Sequence, residues 1–330
     1  MGKMAAIRES MNVLIKTLRK IPLIVKMKRS IYAFAQKLFR GLSIVKWILI
    51  YDLPAKKGIS KNDHKTELIV SLTSFPARIN TVHFTIRSLL MQTEKPDKIV
   101  LWLAEEQFPG QELVLPKQLL SLKKNGLSIE WCSDIKSFKK LIPAVERYPD
   151  AIVVTADDDM YYSKNWLKVL YQEYLRDPSC IQSHIVTEFT IKDGKYYAYG
   201  RKHVDVPRES FLYKVVGCGG VLYPPHCFNS DITNKDIFMD ICNTNDDIWF
   251  WLMGVLNGVK IHVPLNNDPR TRYVEHTQEG PTLSSNNDRG ENLFWVQFNN
   301  MRKHYPQLDR ILESENERVI SLRKEIPEYL

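Results

Sequence analysis

A chain of 330 residues with 44% apolar content has ample material for a core, and no low-complexity tract or internal repeat points to a fibrous or disordered protein. Its net charge of +8 misleads as an average: residues 1–50 hold eleven Lys and Arg against Glu9 alone, so that segment carries +10 and the other 280 residues carry −2. The body therefore has no basic face by count, and without helix-turn-helix or zinc-finger spacing no nucleic acid partner is expected.

The N-terminal extension comes first. Val13, Leu14, Thr17 and Leu18, then Ile31, Phe34, Ala35 and Leu38, recur at helical spacing with cations between them. Basic amphipathic helices of this kind lie in the interface of an anionic membrane, and Pro22 should divide the segment in two. The alternative is packing on the body or on a second subunit. The longest uninterrupted apolar run, Trp47 to Tyr51, falls far short of the roughly 20 residues that span a bilayer. No signal peptide and no Asn-x-Ser/Thr site is seen, and five scattered cysteines form no CxxC pair. This suits a reducing compartment, with the protein peripheral on the cytoplasmic face of an inner membrane. The expected organisation is an extension over 1–51, a polar linker over 52–65, a catalytic-type body over 66–290 and a helical segment over 291–330.

The body opens with a strand over Glu67–Thr73, a helix over Asn80–Gln92 capped by Asn80, and a second strand over Lys98–Leu103. A helix around Lys117–Lys124 stops at Asn125-Gly126, followed by a strand over Leu127–Trp131 and a helix over Ser137–Arg147. Ala151–Ala156 is the fourth strand, and Ser163 begins a helix reaching Arg176. Ile181–Val186 is another strand, and Glu188–Tyr199 reads as a hairpin turning at Asp193-Gly194. Val215–Tyr223 is Gly-rich and then β-like. Asn245 starts a helix that ends near Asn257-Gly258, Lys260–Val263 is a last strand, 264–290 is a polar loop, and Glu291–Leu312 is a terminal helix. Strands alternating with helices predict an α/β fold with a mostly parallel sheet.

The chain's focal stretch is Ala151-Ile152-Val153-Val154-Thr155-Ala156, which runs straight into Asp157-Asp158-Asp159. A short apolar run reads as a strand buried on both faces, and its carboxyl end is where open α/β sheets bind ligands. Three adjacent carboxylates repel one another, so a divalent cation is the natural neutraliser; Mg²⁺ is commonly held by one or two carboxylates plus substrate phosphates. The plain alternative is a solvated acidic turn.

The order of these signals resembles GT-A fold glycosyltransferases, close to the family-2-like bacterial enzymes of capsule and lipopolysaccharide synthesis, over residues 66–280. The resemblance is carried by Ser71 to Arg78, Ser133-Asp134-Ile135-Lys136 with Lys139-Lys140, Thr155 to Asp159, Gly217-Cys218-Gly219-Gly220, and Asn245-Asp246-Asp247. It implies a GT-A type, Rossmann-like sheet flanked by helices, binding a nucleotide-sugar with Mn²⁺ or Mg²⁺ on its diphosphate. Asp157 and Asp159 are then the metal ligands, with His276 or His262 as a third. Ser74, Arg78, Asp134, Lys140 (or Lys139), Asp157 and Asp158 are expected to face the donor, Asp158 contributing least because it points to the other side. Gly219 and Gly220, with Gly217, would let backbone approach the sugar; a bulge or tight turn is the alternative. Asp247 is expected as general base, with Asp246 a cap or acceptor contact. The helix dipole alone would also favour acids there. Trp249, Phe250 and Trp251 are candidates for a sugar platform or for core.

The implied activity is metal-dependent, inverting transfer of a sugar from a UDP-linked donor to a hydroxyl of a glycan or lipid-linked acceptor, in bacterial surface polysaccharide synthesis. Two other classes compete. A nucleotidyltransferase acting on sugar phosphates shares the sheet and the acids but wants a Gly-rich loop after the first strand, and Ser71–Asn80 has no glycine. A non-catalytic sugar-binding protein of the same fold would have little reason to keep two separate acid groups.

Overall fold

The computed structural model describes residues 57–60, 64–199, 207–264, 271–279 and 292–325. The N-terminal extension and most of the linker lie outside these residues. The strands are β1 (Leu68–Thr73), β2 (Lys98–Ala104), β3 (Leu127–Cys132), β4 (Ile152–Ala156), β5 (Met160–Tyr161), β6 (Ile181–Ser183), β7 (Val186–Lys192), β8 (Lys195–Tyr199), β9 (Glu209–Ser210), β10 (Tyr213–Val215), β11 (Val221–Tyr223), β12 (Ile261–His262) and β13 (Arg272–Tyr273). The helices are α1 (Val82–Leu90), α2 (Lys117–Leu120), α3 (Ile142–Arg147), α4 (Trp166–Arg176), α5 (Lys235–Ile241), α6 (Asp246–Leu256), α7 (Leu293–His304) and α8 (Gln307–Lys324).

The main sheet runs β3-β2-β1-β4-β11-β6-β12-β9. β3, β2, β1 and β4 pair in parallel. This is the mostly parallel α/β sheet expected from the sequence, with helices on both faces. Successive β1 residues enter opposite cores. Ile69 belongs to the core shared with α3, α5, α6, α7 and α8, while Leu68, Val70 and Leu72 belong to the core shared with α1, α2 and α4. A strand covered on both faces needs a continuous apolar run, which is why β1, β2 and β4 lack alternation.

Two strands depart from the parallel rule, the edge strand β9, antiparallel to β12, and β11. β11 lies antiparallel between β4 and β6, with Val221 opposite Thr155. That pairing carries the glycine-rich turn before β11 to the carboxyl end of β4. The hairpin of β7 and β8 turns at Asp193 and Gly194, both at positive φ, as a two-residue type I′ turn requires; β10 pairs with β7 to complete a three-stranded sheet.

The expected terminal helix is two helices. Pro306 cannot donate the backbone hydrogen bond that continuity needs, so α7 ends at His304 and α8 starts at Gln307. Within the polar stretch expected over 264–290, Arg272-Tyr273 forms β13 and pairs with β5. Among the described residues no helix is long and apolar enough to cross a membrane.

Candidate active site

A cleft of about 820 Å³ opens over the carboxyl ends of β1 to β4. Its lining brings together Ser74, Arg78, Asp134, Lys140, Asp157, Asp158, Asp159, Asp246 and Asp247, drawn from stretches up to 173 residues apart in the chain.

β4 delivers the first acids. Asp158 accepts from Ser74 Oγ (2.6 Å) and from Arg78 Nη1 (2.8 Å), and the same Arg78 nitrogen lies 2.9 Å from Asp159 Oδ2. Burial alone would lower the guanidinium's pKa, but Asp158, Asp159 and Asp157 outweigh it and raise it further, so Arg78 is a permanent cation. Asp158, expected to count for little, is thus the anchor that ties the acids to the β1–α1 turn. β13 straps over them: Val274 N–H donates to Asp159 O (2.7 Å) and Gln278 Nε2 to Asp159 Oδ2 (2.7 Å). Burial and the neighbouring Asp157 push the Asp159 carboxyl up to about 7, although Arg78 pulls it down.

The second acid group stands at the start of α6. Asn245 caps the helix, its side chain accepting from Ile248 N–H at 3.2 Å. Asp246 Oδ1 accepts from Ser137 Oγ (2.8 Å), and Asp247 Oδ2 accepts from the Gly217 N–H (3.0 Å). Lys140 joins the two groups. Its ammonium lies 3.1 Å from Asp157 Oδ1, 2.8 Å from Asp246 Oδ2 and 3.8 Å from Asp247 Oδ1. Ser71 Oγ fixes its backbone by donating to the Lys140 carbonyl at 2.7 Å. Burial would depress the Lys140 pKa, but Asp157, Asp246 and Asp247 reverse the sign and hold it well above the ordinary lysine value. The Asp247 carboxyl is raised by burial, against the pull of Lys140 and Lys214. Its Oδ1 is buried and meets no hydrogen-bond donor among the described residues. A carboxylate lining the cleft, held by one backbone N–H beside two ammonium groups, can take a proton.

Gly217 is the glycine the cluster requires: a Cβ there would lie 2.7 Å from Lys140 Nζ and 2.8 Å from Asp247 Oδ1. Gly219 and Gly220 serve packing instead. Added Cβ atoms would strike Ile185 at 2.6 Å and Trp166 at 2.4 Å, Gly220 has φ +93°, and neither lines the cleft. Trp249, Phe250 and Trp251 are fully buried in the core; Phe294 and Trp295 of α7 line the cleft in their place. His276 lies outside the lining. It is 80% exposed and paired with Glu279 at 2.6 Å. His262, on β12, bonds Gln182 and is likewise away from the cleft.

Four contributors were not singled out in the sequence: Gln107, Ser137, Lys214 and Gln278. Lys214 alone carried a signal, as a cation inside the apolar strand Tyr213-Lys214-Val215. Its ammonium is buried 3.9 Å from Asp247 Oδ2.

The residues fit a divalent cation. Asp157 and Asp159 offer hard oxygens in the cleft lining. Among the described residues no group of three His, Cys, Asp or Glu forms a cage. Two carboxylates with the remaining positions left to phosphate and water match how Mg²⁺ is usually held.

The sequence matches no protein-family model and no curated protein. Solved structures with a similar chain course include the mannosyltransferase PcManGT from Pyrobaculum calidifontis in complex with GDP-Man and Mn²⁺. It shares 13% identity over 88% of this chain and 79% of its own, with a TM-score of 0.46. GalNAc-T7 with UDP, GalNAc and Mn²⁺ shares 10% identity over 71% of this chain, with a TM-score of 0.40; the match spans half of its length. A CMP:2-keto-3-deoxy-manno-octonic acid synthetase complexed with CTP shares 11% identity over 60% of this chain and 89% of its own, with a TM-score of 0.36.

Proposed function

We propose that the chain is a metal-assisted glycosyltransferase that moves a sugar from a nucleoside diphosphate to an acceptor hydroxyl, with inversion. The observation that carries this reading is the pair of acid groups meeting across one cleft through Lys140. One group suits a leaving diphosphate with its cation, and the other suits the attacking hydroxyl.

Asp157 and Asp159 would hold Mn²⁺ or Mg²⁺, which when bound supplies positive charge to the leaving diphosphate. Arg78 and Lys140 are preorganised cations beside those acids, able to bind phosphate oxygens and stabilise the charge that develops on them. Asp247 takes the acceptor proton, while Gly217 N–H, Lys140 and Lys214 orient its carboxylate. Asp246, tied to Ser137 and Lys140, positions the base. Phe294 and Trp295 wall the acceptor side and help to exclude water.

The acceptor we propose is a glycan or lipid-linked saccharide of a bacterial surface polysaccharide, met at an anionic membrane surface to which residues 1–50 bind. The support for the membrane is that segment's +10 charge and helical apolar spacing. Cosedimentation with anionic and neutral vesicles, using full-length chain and chain lacking residues 1–50, tests it: binding should require both lipid charge and the segment.

The activity is tested by nucleotide-sugar hydrolysis with a panel of donors. Wild type should turn over with Mn²⁺ or Mg²⁺ and stop in chelator, and Asp159→Ala should lose at least about 10²-fold. Turnover that survives both treatments would overturn the reading.

A further inference from the structure

Residues 271–279 lie as a strap across the first acid group, and the strap is tied to Asp159 at both ends. On entry, β13 pairs with β5 and the Val274 N–H donates to the Asp159 carbonyl at 2.7 Å. Tyr161 Oη, from β5, donates to Glu275 Oε2 at 3.0 Å. The chain then reverses at His276, whose φ of +64° lies in the left-handed region, and Thr277 Oγ1 closes the turn on the Val274 carbonyl at 2.7 Å. The His276 ring is exposed and pairs with Glu279, so this histidine serves the turn and not the acids.

The reversal returns Gln278 to Asp159. Its Nε2 donates to Asp159 Oδ2 at 2.7 Å, and Arg78 Nη1 lies 2.9 Å from the same oxygen. The amide cannot be turned over, because its carbonyl would then face a carboxylate, and both only accept. A carboxylate oxygen has two lone-pair sites, so Oδ2 is filled. Oδ1 takes no hydrogen bond from the described residues, and it remains accessible in the cleft that Asp159 lines.

Resting on the metal-assisted reading above, we propose that Gln278 is a positioning residue for the cation: by holding Oδ2 together with Arg78, it leaves Asp159 Oδ1 as the oxygen that takes the metal. The last torsion of an aspartate is soft, so a free carboxylate must be ordered when the metal arrives, whereas one already held meets it without that cost. Outer partners of metal ligands typically contribute about 10–100-fold in metal affinity. The strap thus serves the metal through an amide that acts on Asp159, and not through the His276 imidazole expected as a third ligand.

Mn²⁺ titration of the full chain, read by the electron paramagnetic resonance of free Mn²⁺ against a protein-free blank, decides this without any turnover. Gln278→Met keeps the length and removes the donor; Gln278 is exposed on the strap, so the fold should tolerate the change. It should weaken Mn²⁺ binding about 10–100-fold. His276→Gly keeps the turn, because glycine adopts positive φ freely, and should bind like wild type. In the Asp159→Ala chain, where Asp157 remains, Gln278→Met should change the affinity by less than about twofold, since a residue that acts through Asp159 has nothing left to act on. Unchanged or tighter binding by Gln278→Met, an equal loss in the Asp159→Ala background, or a loss confined to His276→Gly would overturn the positioning role while leaving the cation site standing. A wild type that takes up no Mn²⁺ would overturn the metal reading itself, and this inference with it.

Discussion

The two acid groups of the cleft are neutralised in different ways. Asp158 and Asp159 share one guanidinium, but each also has a neutral donor, Ser74 for one and Gln278 for the other. Asp246 and Asp247 meet the Lys140 ammonium, which is more deeply buried than the guanidinium and also serves Asp157; Ser137 and the Gly217 N–H are their neutral donors, and Lys214 lies 3.9 Å from Asp247. Arg78 serves two adjacent acids of one group, whereas Lys140 links three acids across both groups.

Breaking the proton-taking side should have the largest effect on rate. Asp247→Asn keeps the size and the Gly217 contact but removes the base, so turnover should fall about 10²–10⁴-fold. Nucleotide binding should stay near wild type, as read by titration with the nucleoside diphosphate. Unchanged turnover would place the base elsewhere, and loss on Asp246→Asn instead would exchange the two roles.

Removing the cations should separate the groups by stability. Lys140→Met removes the cation shared by three carboxylates and should cost about 3–5 kcal/mol in urea unfolding, the range for breaking a buried ion pair from one side. Arg78→Met removes a more exposed cation shared by two and should cost about half as much. Equal costs would mean that the load carried by Lys140 has no energetic weight.

The smallest effect is a gain. Asp159 titrates near 7 in the folded protein against an ordinary value of 3.8. A carboxyl raised on folding favours the native state below about pH 4, and that contribution is lost as pH climbs to 7. In metal-free buffer Asp159→Asn should therefore match wild type near pH 4 and exceed it at pH 8. The gain should be of the order of 1–2 kcal/mol, or about 2–8 °C in Tm. Thermal melts across pH check it; a variant less stable than wild type at pH 8 would sink it.

What the chain determines by itself is whatever contiguous residues encode. β4 and its acids are legible because an unbroken run of small and β-branched residues, Ala151 to Ala156, reads as a strand buried on both faces, and three carboxylates behind it need a reason. The Asp193-Gly194 turn and the Asn245 cap are legible because each is a local backbone demand. The expected Glu291–Leu312 helix divides because its apolar spacing runs on past Pro306, where the backbone hydrogen bonding cannot. Partners are another matter. Nothing near Lys140 in sequence announces Asp246, which lies 106 residues away, or says that Gly217 rather than Gly219 or Gly220 is the one beside the charges. Those choices follow from strand order. Only the insertion of β11, antiparallel and against β4, brings the glycine turn to the end of β4. Trp249, Phe250 and Trp251 show the same division: helical spacing shows that they are helical, but only the layers packed around α6 make them core and leave Phe294 and Trp295 at the cleft. Local propensity is a property of neighbours in the chain, whereas charge pairing and burial are properties of neighbours in space, and the sheet's topology alone converts one into the other.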